Sequence, residues 1–152
     1  YDGCDAPTAA QTLRAQALAW ARMADPGGLP AELAAAAQRV ADAICTAPEL
    51  LSSVGSFSAR LIAAGQGEII CKSGAAGLFC IGLRGRGVGV AFKMADGDGG
   101  THPQVALELL QRLGVELPQA LIDEFSSISV TNCRGRLVGQ TRAAQFQLRQ
   151  MA

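Results

Sequence analysis

Between residues 68 and 93 the chain carries three short apolar runs joined by two glycine-bearing links, and no other feature restricts its fold as much. The runs are Glu68-Ile69-Ile70-Cys71-Lys72-Ser73, Leu78-Phe79-Cys80-Ile81-Gly82-Leu83 and Val88-Gly89-Val90-Ala91-Phe92-Lys93. Gly74-Ala75-Ala76-Gly77 and Arg84-Gly85-Arg86-Gly87 separate them. Such links between strand-like runs predict an antiparallel meander. Apolar side chains on successive residues, rather than on every second one, predict cover on both faces of that sheet.

Helical patterns supply the cover. Thr8 with Gln11 suggests a capping box, followed by Leu13, Ala17, Trp20 and Ala24 at helical spacing. Pro26-Gly27-Gly28 ends that helix, and Pro30 suits the first turn of the next, whose expected stripe is Leu33, Ala37, Val40 and Ile44. Pro48 breaks the chain again. Ser56 is placed to cap a short helix carrying Leu61 and Ile62, closed by Gly65. After the strands, Asp96-Gly97-Asp98-Gly99-Gly100 is a loop. Thr101 and Gln104 are expected to cap a helix through Ala106, Leu109, Leu110 and Leu113, ended by Gly114. Pro118 opens a shorter helix through Leu121, Ile122 and Phe125. Ile128 to Asn132 and Leu137 to Gln140 read as one or two last strands. The expected architecture is a single α+β domain with helices packed on an antiparallel sheet.

Composition removes several function classes. Thirteen basic and thirteen acidic residues cancel with no basic run, so a nucleic-acid partner is not expected. No apolar stretch of about 20 residues is present, so no membrane partner is expected either, and a cytoplasmic location is the default. The five cysteines form no Cys-x-x-Cys pair, which argues against a self-contained zinc knuckle and for reduced, mostly buried thiols. The chain opens on Tyr1-Asp2-Gly3-Cys4 rather than methionine, and is expected to be part of a longer protein.

Lys72-Ser73-Gly74 is the element with most chemistry in it. An ammonium at a strand end can stabilise developing negative charge or pass a proton, and a neighbouring hydroxyl can relay a proton or bind substrate. A glycine lets substrate approach the strand, and the backbone N–H beyond it, at Ala75, suits an oxyanion. The bland alternative is a snorkelling strand-end lysine followed by turn residues. Lys-Ser-Gly or Lys-Thr-Gly on an edge strand is also the third motif of penicillin-recognising serine enzymes, which pair it with Ser-x-x-Lys. No Ser-x-x-Lys occurs in these 152 residues.

Nearly the whole chain resembles the L-asparaginase II family, the rhizobial class of asparaginases. The resemblance is carried by Asp2-Gly3-Cys4-Asp5-Ala6-Pro7, Pro48-Glu49-Leu50-Leu51, Arg60-Leu61-Ile62, Lys72-Ser73-Gly74-Ala75-Ala76-Gly77, Cys80-Ile81-Gly82-Leu83 and Gly87 to Lys93. It continues through Asp96-Gly97 and Thr131-Asn132-Cys133-Arg134-Gly135 with Val138-Gly139. The resemblance implies the C-terminal portion of a three-layer fold of the serine β-lactamase and transpeptidase kind, with residues 1–152 as its C-terminal half. It also implies hydrolysis of asparagine to aspartate and ammonia through an acyl-enzyme on an upstream serine.

By that resemblance Lys72 and Ser73 are catalytic, Gly74 and Ala75 bind the amide substrate, and Cys4 ligates zinc completed by the absent half. Asp2 would orient that metal site from outside. A buried structural role for Cys4 stays open beside the ligand role, and a homodimer is also left open. The sequence departs from the family pattern at Asp5, in the turn Gly55-Ser56-Phe57-Ser58-Ala59 (Ser56, Ser58 and Ala59), at Ala76 and around Gly100-Thr101, where small neutral groups mostly replace charged ones. A degenerate, non-catalytic ligand- or partner-binding member, or a related serine amidase or glutaminase, is the alternative. His102 is expected at the surface or in a cap, and Lys93 beside Asp96 as a salt-bridged or solvated pair.

Overall fold

The computed structural model describes residues 3–146 and 148. The helices are α1 (Leu13–Ala24), α2 (Ala31–Thr46), α3 (Pro48–Leu51), α4 (Phe57–Ala64), α5 (His102–Arg112) and α6 (Gln119–Phe125). The strands are β1 (Ile69–Ser73), β2 (Leu78–Leu83), β3 (Val88–Lys93), β4 (Ser127–Thr131) and β5 (Leu137–Arg142), so the fold is α+β. β1, β2 and β3 form the expected antiparallel meander in that spatial order, while β4 and β5 form a separate hairpin.

The register explains why the strands read as continuous apolar runs. Cross-strand partners share a face, and Cys71 pairs with Ile81, which pairs with Val90. That face carries Ile69, Cys71, Phe79, Ile81 and Leu83, and it packs against Leu61 and Ile62 of α4 and Leu107 and Leu110 of α5. The opposite face holds Ile70 with Ala24 of α1 and Ala41 of α2. Both faces are therefore covered, as the sequence predicts.

Cover on the second face depends on missing side chains. Ile70 pairs with Gly82, and Gly82 with Gly89, so two glycines lie side by side beneath α1. A Cβ on Gly89 would sit 1.9 Å from the Ala17 carbonyl oxygen and 2.5 Å from the Ala21 nitrogen. One on Gly82 would sit 2.9 Å from both the Ala24 Cβ and the Trp20 carbonyl oxygen. The helix backbone thus rests directly on the sheet. Asp25 follows α1 and lies near Gly87, so α1 runs antiparallel to β3. Its N-terminus accordingly points towards the sheet end where Lys72, Ser73 and Lys93 lie.

Several helix boundaries and faces differ from expectation. The α1 cap is Thr12, whose hydroxyl accepts the Ala15 N–H at 3.1 Å, whereas the Thr8 hydroxyl donates to the Ala6 carbonyl. Helix α2 faces the sheet through its alanines, and Leu33 and Val40 remain 54% and 50% exposed. Close packing on small residues displaces those larger side chains to the flank, where they line an apolar groove with Met23 and Leu29. Pro48 starts the short α3 rather than only interrupting the chain. Ser56 caps α4 as expected, accepting the Ala59 N–H at 3.3 Å.

Candidate functional site

Lys72 and Ser73 occupy the end of β1, an outer strand of the three-stranded sheet among the described residues. The hydrogen-bonding phase of this strand follows from its two ends. The Gly74 N–H donates to the Leu78 carbonyl at 2.7 Å, and the Arg84 N–H donates to the Glu68 carbonyl at 2.8 Å. In an antiparallel ladder bonded pairs alternate, so even-numbered β1 residues bond to β2. The backbone N–H and C=O groups of Ile69, Cys71 and Ser73 therefore point to the outer edge.

The lower part of that edge is occupied. The Cys45 thiol of α2 approaches the Ile69 carbonyl at 3.9 Å and the Gly67 carbonyl at 3.8 Å. The upper part is more open, with Lys72 and Ser73 half-buried and Gly74, Ala75 and Ala76 exposed. The Lys72 Nζ donates to the Ser73 carbonyl oxygen at 2.7 Å, which holds the ammonium at the strand tip. Adjacent strand residues point to opposite faces, so Lys72 lies on the α1 side and Ser73 on the side of Phe79. A ligand over one face would meet only one of them. A ligand lying along the edge can meet both.

Gly74 and Ala75 differ in how the turn after β1 uses them. A Cβ on Gly74 would lie 3.0 Å from the Leu78 Cδ2 and 3.2 Å from its Cβ, so this glycine makes room for the hairpin. Its N–H is spent on Leu78. The Ala75 carbonyl accepts the Leu78 N–H at 3.4 Å, while the Ala75 N–H has no hydrogen-bond partner among the described residues. Ala76 has φ +52°, the left-handed region that penalises a Cβ. The Lys93 ammonium donates to the Ala76 carbonyl, closing the turn. Lys93 is thus engaged with this carbonyl and not salt-bridged to Asp96, whose carboxylate accepts the Asp98 N–H.

Cys71 lies immediately before Lys72 and is fully buried. Burial pushes its thiol up to about 12, against smaller opposing effects from a hydrogen bond with the Ser58 side chain and from the Lys72 charge, and the thiol also donates to the Ser58 carbonyl at 3.7 Å. Burial also raises the Cys80 thiol, the cross-strand partner of Lys72. Both are therefore neutral packing groups at physiological pH, not nucleophiles. Ser58 and Ala59, where the family pattern differs, are buried in α4. Their small size serves packing of that helix and does not alter an open cleft.

Cys4 is exposed, in the segment that leads to α1. Among the described residues no group of three or more His, Cys, Asp or Glu side chains is arranged to hold a metal ion. The described residues do not by themselves fit a zinc site, since one thiolate falls short of the three or four ligands such a site needs. Asp2 lies outside the described residues.

Sequence reasoning misplaced the histidine. His102 is 4% exposed, packed at 5.2 Å from the Phe79 ring and 5.8 Å from the Phe92 ring, so it is a core residue. Its position was readable, because His102, Ala106 and Leu110 fall on one helical stripe with Leu107. The expected Thr101–Gln104 cap does not form. Thr101 makes no side-chain cap bond, and Thr101 Oγ1, His102 Nε2 and Gln104 Oε1 are buried without hydrogen-bond partners among the described residues.

No helix among the described residues is long and apolar enough to cross a membrane. None of the curated proteins compared with the chain matches it. The model of the L-asparaginase II family matches residues 1–143, a stretch that includes the β1 edge, its Lys72-Ser73 tip and the exposed Cys4, and the chain belongs to that family.

Proposed function

We propose that the protein acts in the hydrolysis of L-asparagine to L-aspartate and ammonia, with the amide substrate lying along the upper edge of β1. One observation carries this reading. Neighbouring residues at an open strand edge offer an ammonium at Lys72, a hydroxyl at Ser73 and an N–H at Ala75 that has no partner among the described residues. A cation, a proton relay and an oxyanion donor are the parts that acyl transfer needs beside a nucleophile. Family membership points the same way.

In the proposed reaction a serine supplied by polypeptide outside these 152 residues attacks the side-chain amide carbon. The C–N bond then breaks, and ammonia leaves with the serine's proton, relayed through the Ser73 hydroxyl. Water hydrolyses the acyl ester to free aspartate and restores the serine. Lys72 attracts the substrate's negative charge, and the Ala75 N–H steadies the oxyanion. Gly74 keeps the turn tight so that Ala75 is presented at the edge. Cys4 is proposed to give one thiolate to a zinc ion whose other ligands lie elsewhere, and no reaction step is assigned to that ion.

The test is ammonia release by the complete protein from asparagine, glutamine and a panel of simple amides. Lys72→Met should lower kcat/KM for asparagine by about 100-fold or more, as expected for loss of a charge-stabilising group. Unchanged turnover would remove Lys72 from the reaction. Absence of turnover on every amide, with asparagine still bound, would favour a non-catalytic binding protein. The neutral, exposed Ala76 beside the Lys72 edge is the observation that favours that second reading.

A further inference from the structure

The outer flank of α1 and α2 carries two apolar depressions set end to end along α2. One, of about 430 Å3, lies between the two helices on Met23, Leu29, Leu33, Ala36 and Val40, with Arg22 as its one charged lining residue. The other, of about 370 Å3, lies where α2 gives way to α3, on Ala43, Ala47 and Leu50. Leu33, Ala36, Val40, Ala43, Ala47 and Leu50 succeed one another at alternating steps of three and four residues, the spacing of a seam between packed helices. Nothing among the described residues covers this seam, and Leu33, Val40 and Leu50 are 54%, 50% and 86% exposed.

The seam carries both a knob and a hole. Leu50 is the knob, and the groove between α1 and α2 is the hole, centred near Ala36. Ala36 and Leu50 each lie seven residues from Ala43. A two-fold axis through Ala43 therefore carries Leu50 of each of two copies into the groove of the other. Ala43 is small and exposed, so it lets the two helices approach closely at that axis. The same rotation brings Glu49, the residue before the knob, towards Arg22 in the opposite groove, and does so twice. Neither Glu49 nor Arg22 has an ion-pair partner among the described residues. The face is thus complementary to itself in charge as well as in shape.

From Leu33 to Leu50 the face runs for about 25 Å. Two packed helices make it about 20 Å wide. Each copy then contributes about 500 Å2 and the pair about 1,000 Å2, which meets the lower limit for a specific interface and suits a weak rather than an obligate dimer. We propose that this face docks on the same face of a second copy of the protein, with each Leu50 seated in the opposite α1–α2 groove. A knob, a hole that accepts it and opposite charges beside them all lie on one face of one chain. A two-fold contact requires that coincidence, and a contact with an unrelated partner does not. The face is separate from the β1 edge and does not depend on the reaction assigned there.

The test is sedimentation velocity on the complete protein over a concentration series from about 1 to 200 μM, with circular dichroism confirming that each variant is folded. The protein should pass from monomer to dimer within that range. Leu50→Asp, at an exposed position, should raise the dissociation constant roughly tenfold or more. Glu49→Arg should raise it several-fold by setting two arginines together, and adding Arg22→Glu in the same chain should restore association. That rescue is specific to a contact in which these two residues meet across the axis. A dimer that ignores Leu50→Asp, or a charge exchange that restores nothing, would overturn the proposal. So would a monomer at every concentration; if Leu50→Asp then lowered its unfolding temperature, the face would belong to other polypeptide of the same molecule.

Discussion

Replacing Gly89 by alanine would put a methyl group where the backbone of α1 already lies. The new Cβ would be 1.9 Å from the Ala17 carbonyl oxygen, and real Cβ contacts stay beyond 3.0 Å. Helix and strand must separate by about 1 Å, and backbone on both sides leaves no side chain to rotate away. Overpacking of this kind costs about 1–3 kcal/mol, and the rigid partners place Gly89→Ala at the upper end. Alanine's better strand propensity returns at most about 1 kcal/mol. The expected net loss is about 2 kcal/mol, or roughly 4–8 °C in Tm for a chain of this length. Urea and thermal unfolding followed by circular dichroism measure it. Gly139→Ala on β5 is the matched control, since nothing lies within 4 Å of its Cβ position, and it should change stability by less than about 0.5 kcal/mol. If Gly89→Ala were as mild as Gly139→Ala, α1 would not rest on the glycine pair, and the direction assigned to its N-terminus would lose its basis.

Other consequences follow from particular groups. Cys71 has its pKa raised by burial, so the stability it contributes is complete below the unfolded thiol's pKa, about 8.5–9. That stability is lost as pH rises towards about 12, by up to about 1.4 kcal/mol per pH unit, and Cys71→Ala should flatten this part of a urea-stability profile. At pH 8 the exposed Cys133 should alkylate quickly while Cys71 reacts only on unfolding, as peptide mass mapping would show. Ser56→Ala should lose about 1 kcal/mol through the α4 cap in chemical denaturation. Ala76→Gly should raise stability by about 0.5–1 kcal/mol in the same assay, because glycine tolerates φ +52°. His102→Leu should cost less than about 1 kcal/mol, since it removes a buried nitrogen with no hydrogen-bond partner among the described residues, and a larger loss would reveal a partner for Nε2.

The meander was legible because its evidence is local: three apolar runs and two short glycine links leave one economical arrangement, and the strand limits agree to within a residue. The two-sided cover was legible for the same reason. What the sequence could not order was competition among plausible partners. Thr8 looked like the cap of α1, yet Thr12, four residues on, accepts the Ala15 N–H. Leu33 and Val40 looked like core by hydropathy, but a helix lying close on alanine leaves them at the flank. Lys93 had Asp96 nearby in sequence, yet the turn brought the Ala76 carbonyl nearer. At the candidate site the tripeptide's position at a strand end was legible, whereas which N–H of the following turn is spent within the hairpin, that of Gly74 on Leu78, depends on hairpin register. His102 was misjudged because a helix start was weighted above the stripe that runs through it.

Protection of Lys72 by the reaction's product, L-aspartate, tests the central claim most directly. The complete protein is pulse-labelled with an amine-reactive acylating reagent, with and without saturating L-aspartate, and the modification of Lys72 and Lys93 is read by peptide mass spectrometry. Those are the two lysines of the sequence, so each serves as a reference for the other. If the amide substrate lies along the β1 edge, aspartate slows labelling of Lys72 by roughly tenfold at saturation and leaves Lys93 unchanged. Equal labelling of Lys72 with and without aspartate would contradict the placement of the substrate on which the proposed chemistry rests.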